Sequence, residues 1–180
     1  LPAAVALPAL TPPAVGACAE RIGETPFLPS LLWMNHQCLT VLERTIRCVA
    51  PQEGCALLLG HASKRGVCCL SSVWPCCNIW QPQTSRCRRF ALDPREQLAA
   101  QRWARARGER VVGVAHGHPD SDAYPSFHDR QLGLVDNLMV IGGVDGDLRA
   151  WWLRSDRRAQ VVPIAVQDTL KDEIRSDAPS

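Results

Sequence analysis

The chain has no apolar run long enough to cross a bilayer and no large excess of charge of either sign. Its 20 basic and 18 acidic residues leave a net charge of +2, so no broad positive field favours nucleic acid as a partner. The opening residues lack a basic side chain and are interrupted by prolines, so they do not indicate a secretory leader. We therefore expect a cytoplasmic protein that binds neither nucleic acid nor a membrane.

Cysteine is abundant, but the spacing that is typical of thiolate metal sites is missing. None of the nine cysteines forms a Cys-x-x-Cys pair. A second metal site formed by Cys76, Cys77 and Cys87 is conceivable, but small buried hydrophobes are the better interpretation for most of the thiols. In a cytoplasmic chain we expect these thiols to be reduced.

The length of 180 residues suits one domain with a sizeable core and additional terminal segments. Residues 1–29 are rich in alanine and proline, which predicts a poorly ordered leader. Residues 30–167 are expected to form the domain, and residues 168–180 a polar C-terminal tail.

Periodicity and turn signals predict alternating helices and strands. Ser30 is the expected N-cap of a helix from about residue 31 to 48. A second helix is expected over about residues 93–107, and a third begins at Ser126. The predicted strands cover residues 55–60, 67–73, 111–116, 138–144, 148–154 and 161–166. This order predicts an α/β (α+β) domain with a central, mostly antiparallel sheet flanked by helices.

One stretch of fourteen residues contains two imidazoles, a hydroxyl and a carboxylate, as His116-Gly-His118-Pro119 followed by Ser126-x-x-Asp129. Residues two apart on a strand face the same way, so both imidazoles point to one side, and Pro119 ends that strand. Ser126 caps the following helix and places Asp129 in its first turn. Two histidines and an aspartate are a ligand set that zinc accepts with one position left open. The motif therefore favours a catalytic zinc site.

Such a site also needs a proton acceptor and a group that stabilises an oxyanion. Zinc lowers the pKa of its bound water to about 7, but a base must still take the proton. Glu53 is the candidate because it lies at a predicted helix–strand junction, and the hydroxyl of Ser126 is the candidate for the oxyanion. Each fragment alone has a simpler interpretation, since Ser-x-x-Asp is a common capping pattern and Glu53 alone fits a solvated turn. The case depends on their coincidence.

Together these residues resemble the JAMM/MPN-domain zinc metalloproteases, in particular their short prokaryotic branch. The resemblance is carried by Pro51-Gln-Glu53-Gly-Cys-Ala-Leu-Leu-Leu-Gly60 and by the motif from residue 116 to 129, and it covers about residues 31–166. Three further features agree with it: Asn78, the stretch 89–94 and the hairpin at residues 145–150.

The resemblance implies a role for each residue of the motif. It implies an MPN-like fold, Glu53 as the general acid/base and Ser126 as an aid to the oxyanion. The implied zinc ligands are His116, His118 and Asp129. The chain departs from the family at two positions that are not ligands: Gly117 stands where serine is usual, and Ala56 where glycine is usual.

The implied activity is zinc-dependent hydrolysis of an amide or isopeptide bond at the C-terminal Gly-Gly tail of a ubiquitin-like or sulfur-carrier protein. The alternative is a non-catalytic MPN-type protein-binding scaffold, against which the full ligand set with Glu53 argues. Similarity to DNA-repair relatives that share His-x-His-Pro is weaker, because residues 119–124 do not match their signature. The sequence leaves the substrate, the released group and the oligomeric state open.

Several polar residues beside the motif are interpreted more simply. His128 is adjacent to a predicted ligand on a helix and is expected outside the ligand set. Arg86, Arg88 and Arg89 lie near Trp80 in a basic loop. A solvated loop and a docking surface for an acidic partner are about equally good interpretations of it.

Overall fold

Strands and helices follow one another irregularly along the chain and build one eight-stranded sheet with helices packed on it. The computed structural model describes residues 28–63 and 65–168, so the predicted leader (1–29) and tail (168–180) lie almost wholly outside the described residues. The strands are β1 Leu31–Met34, β2 Cys55–Ala62, β3 Val67–Cys76, β4 Arg110–Gly117, β5 Asn137–Gly142, β6 Leu148–Leu153, β7 Ala159–Val162 and β8 Ile164–Val166. The helices are α1 His36–Arg47, α2 Pro94–Arg105 and α3 Phe127–Leu132, with a 3-10 turn at Gln83–Ser85. Within the described ranges, no helix has both the length and the apolar character of a membrane span.

The sheet has the strand order β7-β6-β5-β4-β2-β3-β1-β8. Its antiparallel pairings are β2–β3, β2–β4, β5–β6 and β6–β7, and its parallel ones are β1–β3, β1–β8 and β4–β5. This confirms the predicted mixed α+β domain with a mostly antiparallel sheet. Strands β7 and β8 belong to opposite edges but are separated only by Pro163. The sheet must therefore curl until its two edges approach each other.

Helices cover both faces of the central strand β2, which explains its unbroken apolar sequence. Leu58 packs into the core beneath α1, together with Leu42. Leu57 and Leu59 point the other way and pack against α2, where Ala100 is fully buried. A strand buried on both faces has no solvent-facing positions to alternate with its apolar ones.

The prediction of a helix capped by Ser30 is wrong at its N-terminal end. Residues 31–34 form β1, in which Leu32 and Met34 are fully buried and alternate with half-buried neighbours. The helix is α1, which begins after Asn35, whose side-chain oxygen accepts a hydrogen bond from the Cys38 N–H at 2.7 Å. The helical spacing of Leu32 to Leu39 and Leu42 extended the predicted helix back over residues 31–34, but the parallel pairing of β1 with β3 decided the structure.

The predicted single strand at residues 161–166 is also wrong, because Pro163 divides it. Proline has no N–H to donate to a ladder. Val162 pairs with Ala150 on β6, whereas Ile164 pairs with Leu32 on β1. The carbonyl of Pro163 accepts a hydrogen bond from the Leu32 N–H at 2.8 Å, which fixes the chain where it passes from one sheet edge to the other.

The end of α1 rests on glycines at the ends of three neighbouring strands. A Cβ atom on Gly54 would lie 2.8 Å from the Ile46 Cα, one on Gly117 2.7 Å from the Ile46 Cγ2, and one on Gly142 2.8 Å from the Ile46 Cδ1. These glycines let Ile46 approach the strand ends that precede the candidate site. The structure thus gives a packing reason for Gly117, where the resembled family usually has serine.

We expect Gly117→Ser to lower the free energy of unfolding by about 1–3 kcal/mol, because the added atoms overpack the contact with Ile46. Urea denaturation measures the difference. The matched control is Gly108→Asn: an added Cβ there meets no atom within 4 Å, and asparagine tolerates the φ of +70°. Equal stability of the two variants would contradict the packing argument.

Candidate metal centre

Three buried side chains converge where β4 ends and α3 begins. The Nε2 atoms of His116 and His118 are 3.1 Å apart. They lie 3.2 and 3.3 Å from the two carboxylate oxygens of Asp129. One ligand atom of each residue lies within 4.8 Å of those of the other two. Two imidazole nitrogens and a carboxylate oxygen aimed at one point are a donor set that fits zinc.

A reciprocal cap holds Asp129 in this position. The Ser126 Oγ accepts a hydrogen bond from the Asp129 N–H at 3.1 Å, and the Asp129 Oδ2 accepts one from the Ser126 N–H at 2.7 Å. The simple capping interpretation of Ser-x-x-Asp and its place beside the imidazoles are therefore both correct. Burial alone would raise the pKa of Asp129, but the contacts with His116 and His118 outweigh it and hold that pKa well below its usual range.

The two imidazole rings are supported differently. The Nδ1 of His118 lies 2.9 Å from the carbonyl oxygen of Asp122. Since a carbonyl only accepts, Nδ1 carries the hydrogen and Nε2 faces the carboxylate of Asp129. The Nδ1 of His116 has no hydrogen-bond partner among the residues that the structure describes, although the ring is fully buried. Instead, Phe90 stacks on the His116 ring with centroids 4.5 Å apart and planes 23° apart.

Glu53 lies two residues before β2, and His118 directly follows β4, the antiparallel neighbour of β2. Cys55 pairs with His116, and the Gly117 N–H donates to the carbonyl of Gly54 at 3.0 Å. Continued by one step, this register places Glu53 beside His118, and the two side chains interact electrostatically. The Glu53 residue is only 4% exposed. Burial raises the pKa of Glu53 to about 8, against the opposing influence of His118, so its carboxyl group can exchange a proton near neutral pH.

The side chain of Asn78 joins Glu53 to the segment that follows β3. Its Nδ2 donates to the carbonyl of Glu53 at 3.2 Å and to the carbonyl of Arg89 at 2.8 Å. Its Oδ1 accepts from the N–H groups of Trp80 at 3.1 Å and Ala91 at 3.2 Å. One amide therefore fixes the loop against the candidate acid/base residue.

Each arginine of the predicted basic loop contacts another group. The Arg86 Nε donates to the carbonyl of Trp80 at 2.8 Å. Arg88 pairs with an exposed aspartate of the next loop at 3.4 Å. Arg89 lies over the Trp80 ring, and its guanidinium is 2.9 Å from the Nε2 of His128. The loop is thus held both by contacts within it and by contacts with Asp120 and His128, and His128 lies outside the group of candidate ligands.

Among the residues that the structure describes, the cysteines do not form a second candidate metal site. Within residues 28–63 and 65–168, the group of three or more histidine, cysteine or acidic side chains that could hold a metal is the one at His116, His118 and Asp129. The eight cysteines in these ranges are all free, and the buried ones are Cys38, Cys55, Cys68 and Cys69. Burial raises the pKa of the Cys68 and Cys76 thiols to about 12. These values agree with the interpretation of buried cysteines as small hydrophobes.

Two groups beside the candidate ligands carried no assigned role in the sequence. Asp122 acts through its backbone carbonyl, which every residue type possesses, so its identity gives no signal. Phe90 lies in the stretch that carried the resemblance, but nothing in its spacing predicts contact with His116. A buried histidine without a second hydrogen bond becomes apparent only in three dimensions.

Comparisons with known proteins relate the chain to one family. The family described as prokaryotic homologs of the JAB domain matches residues 36–154, a range that includes all five candidate site residues. A desampylase from Haloferax volcanii is 32% identical over 82 residues, which are 45% of this chain and 54% of that protein. The chain thus matches about half the length of this relative.

Two solution structures resemble the fold. A protein from Desulfitobacterium hafniense matches 78% of this chain and 96% of its own, with a TM-score of 0.68 and 23% identity. A protein from Salinibacter ruber matches 75% of this chain and 91% of its own, with a TM-score of 0.57 and 27% identity. The first likeness shows a shared fold alone.

Proposed function

The chain belongs to the family of prokaryotic homologs of the JAB domain, and on that premise we propose that it is a zinc-dependent isopeptidase or peptidase of the JAMM type. The proposed reaction hydrolyses an amide bond at the C-terminal Gly-Gly tail of a ubiquitin-like or sulfur-carrier protein. The convergence of His116, His118 and Asp129, with buried Glu53 opposite His118, carries this proposal. The similarity to a desampylase supports a ubiquitin-like modifier as the substrate class.

The proposed mechanism assigns one task to each group. His116 and His118, through Nε2, and Asp129, through its carboxylate, would hold the zinc ion. A bound zinc ion supplies Lewis acidity, which polarises the scissile carbonyl and makes water more acidic. The Glu53 carboxylate takes a proton from the attacking water and passes it to the leaving nitrogen. The Ser126 Oγ accepts a hydrogen bond from the Asp129 N–H. The hydroxyl hydrogen of Ser126 can therefore be donated to the oxyanion.

Metal analysis combined with a cleavage assay tests the proposal. The substrate is a ubiquitin-like protein whose Gly-Gly terminus is joined by an amide bond to a reporter. We expect the wild type to bind zinc and to cleave after the tail. Asp129→Asn should lose zinc and reduce cleavage by at least about 100-fold, because a catalytic metal supplies several kcal/mol.

The matched control is Asp168→Asn, which removes the same charge from a side chain that is 73% exposed and pairs with His36. It should keep both zinc and activity. A wild type that holds zinc but cleaves no Gly-Gly fusion would favour the non-catalytic MPN scaffold. A wild type without zinc affinity would overturn the metal assignment.

We further propose a cytoplasmic location, where thiols are kept reduced. The eight cysteines in the described ranges are free and suit such a compartment.

A panel of ubiquitin-like and sulfur-carrier substrates with the same Gly-Gly junction would distinguish the two protein classes by their kcat/KM values.

A further inference from the structure

No described residue gives the ring of His116 the second hydrogen bond that a metal-binding imidazole normally has. Such a ring usually donates its second N–H to a carbonyl, a carboxylate or water, which fixes the ring orientation. His118 has this contact through the carbonyl of Asp122 at 2.9 Å. His116 does not, because its Nδ1 is buried without a hydrogen-bond partner among the described residues. Its Nε2 nevertheless points at the Asp129 Oδ1, 3.2 Å away.

Phe90 makes the contact that can fix this ring. Its ring lies nearly parallel to that of His116, with a centroid separation of 4.5 Å. The His116 and His118 rings are tilted by 58°, so they do not stack on each other. Rotation of the His116 ring about its Cβ–Cγ bond would swing one edge into the Phe90 face. The stack therefore restrains the rotation that aims Nε2.

The backbone on both sides of Phe90 is held by one side chain. Asn78 donates to the carbonyl of Arg89 at 2.8 Å and accepts from the N–H of Ala91 at 3.2 Å. The N–H of Ile79 also donates to the carbonyl of Ala91 at 3.0 Å. Phe90 is thus set in place independently of the ring that it contacts.

We propose that Phe90 is the positioning residue for His116, and that its stacked ring fixes the orientation of an imidazole whose Nδ1 bonds to no described residue. The inference rests on the proposed zinc site. Phe90 lies outside the group of candidate ligands and stacks on His116, so its ring acts on zinc binding through the imidazole. Loss of the ring should therefore weaken zinc binding without unfolding the domain.

The test compares zinc affinity in Phe90→Leu and Phe90→Tyr with that of the full wild-type chain, by competition with a chromophoric chelator. Phe90→Leu keeps an apolar side chain but loses the flat ring, and we expect about 10- to 100-fold weaker zinc binding. Phe90→Tyr keeps the ring and should keep the wild-type affinity. The visible spectrum of the Co²⁺-loaded protein should change in the leucine variant alone, because it reports ligand geometry.

Trp103→Leu is the matched control, since it removes a half-buried ring of α2 that packs on Trp74 and lies outside the group of candidate ligands. It should leave zinc affinity unchanged. Unchanged affinity in Phe90→Leu, or equal losses in the leucine and tyrosine variants, would overturn the inference while the zinc site stands. A wild type that binds no zinc would overturn the proposed function and this inference with it.

Discussion

Replacing Glu53 with glutamine should lower kcat by about 10²–10⁴-fold while zinc stays bound. Glutamine has nearly the same shape but cannot accept a proton, and general acid–base catalysis contributes a factor of this size. Glu53 lies outside the group of His116, His118 and Asp129, so its replacement leaves the ligand atoms in place. Steady-state cleavage gives kcat, and metal analysis of the same preparation gives the amount of bound zinc.

Glu43→Gln is the control for this prediction, because it makes the same chemical change on α1 at a half-buried residue outside the candidate ligands. It should retain wild-type turnover. If Glu53→Gln lost zinc and activity in parallel, Glu53 would be a ligand and not the proposed base. Near-normal turnover would remove Glu53 from the reaction altogether.

The sequence predicted the convergence of the candidate ligands because short-range geometry produces most of it. Residues 116 and 118 share a face since the side chains of a strand alternate. The aspartate is placed by a capping box that spans only four residues. Once the strand end and the helix start are located, little freedom remains for these side chains. The same locality explains why β4, α2 and the β5–β6 hairpin were predicted close to their observed bounds.

Features that depend on pairing between strands far apart in the sequence were harder to predict. Glu53 reaches His118 through the register of β2 on β4, which joins residues about sixty positions apart and has no local signal. The mistaken helix start at Ser30 has the same origin, because only the pairing of β1 with β3 shows that residues 31–34 are extended. Residues 161–166 were predicted to form one strand, whereas Pro163 within them is the point at which the chain changes sheet edges.

Without metal, the wild-type protein should lose stability as the pH rises from about 4.5 to about 8. Burial raises the pKa of Glu53 from 4.5 to about 8, so over this range the folded state keeps a proton that the unfolded chain has released. Stability falls with pH wherever the unfolded state binds fewer protons. At pH 7 the cost is about 3 kcal/mol, and Glu53→Gln should remove it because an amide does not ionise.

Urea denaturation of the chelator-treated wild type, Glu53→Gln and Glu43→Gln at pH 5 and pH 8 would measure this cost. His118 and the other titrating groups are present in all three proteins. Their contributions to the pH dependence therefore largely cancel when the stability of a variant is subtracted from that of the wild type. We expect Glu53→Gln and the wild type to have similar stability at pH 5 and to separate towards pH 8, while Glu43→Gln follows the wild type. A constant difference across this range would mean that the Glu53 carboxyl is solvated. A stability difference that grows with pH would show that ionisation of Glu53 destabilises the fold. The domain would then retain a destabilising acid at the place where the proposed reaction needs a proton acceptor.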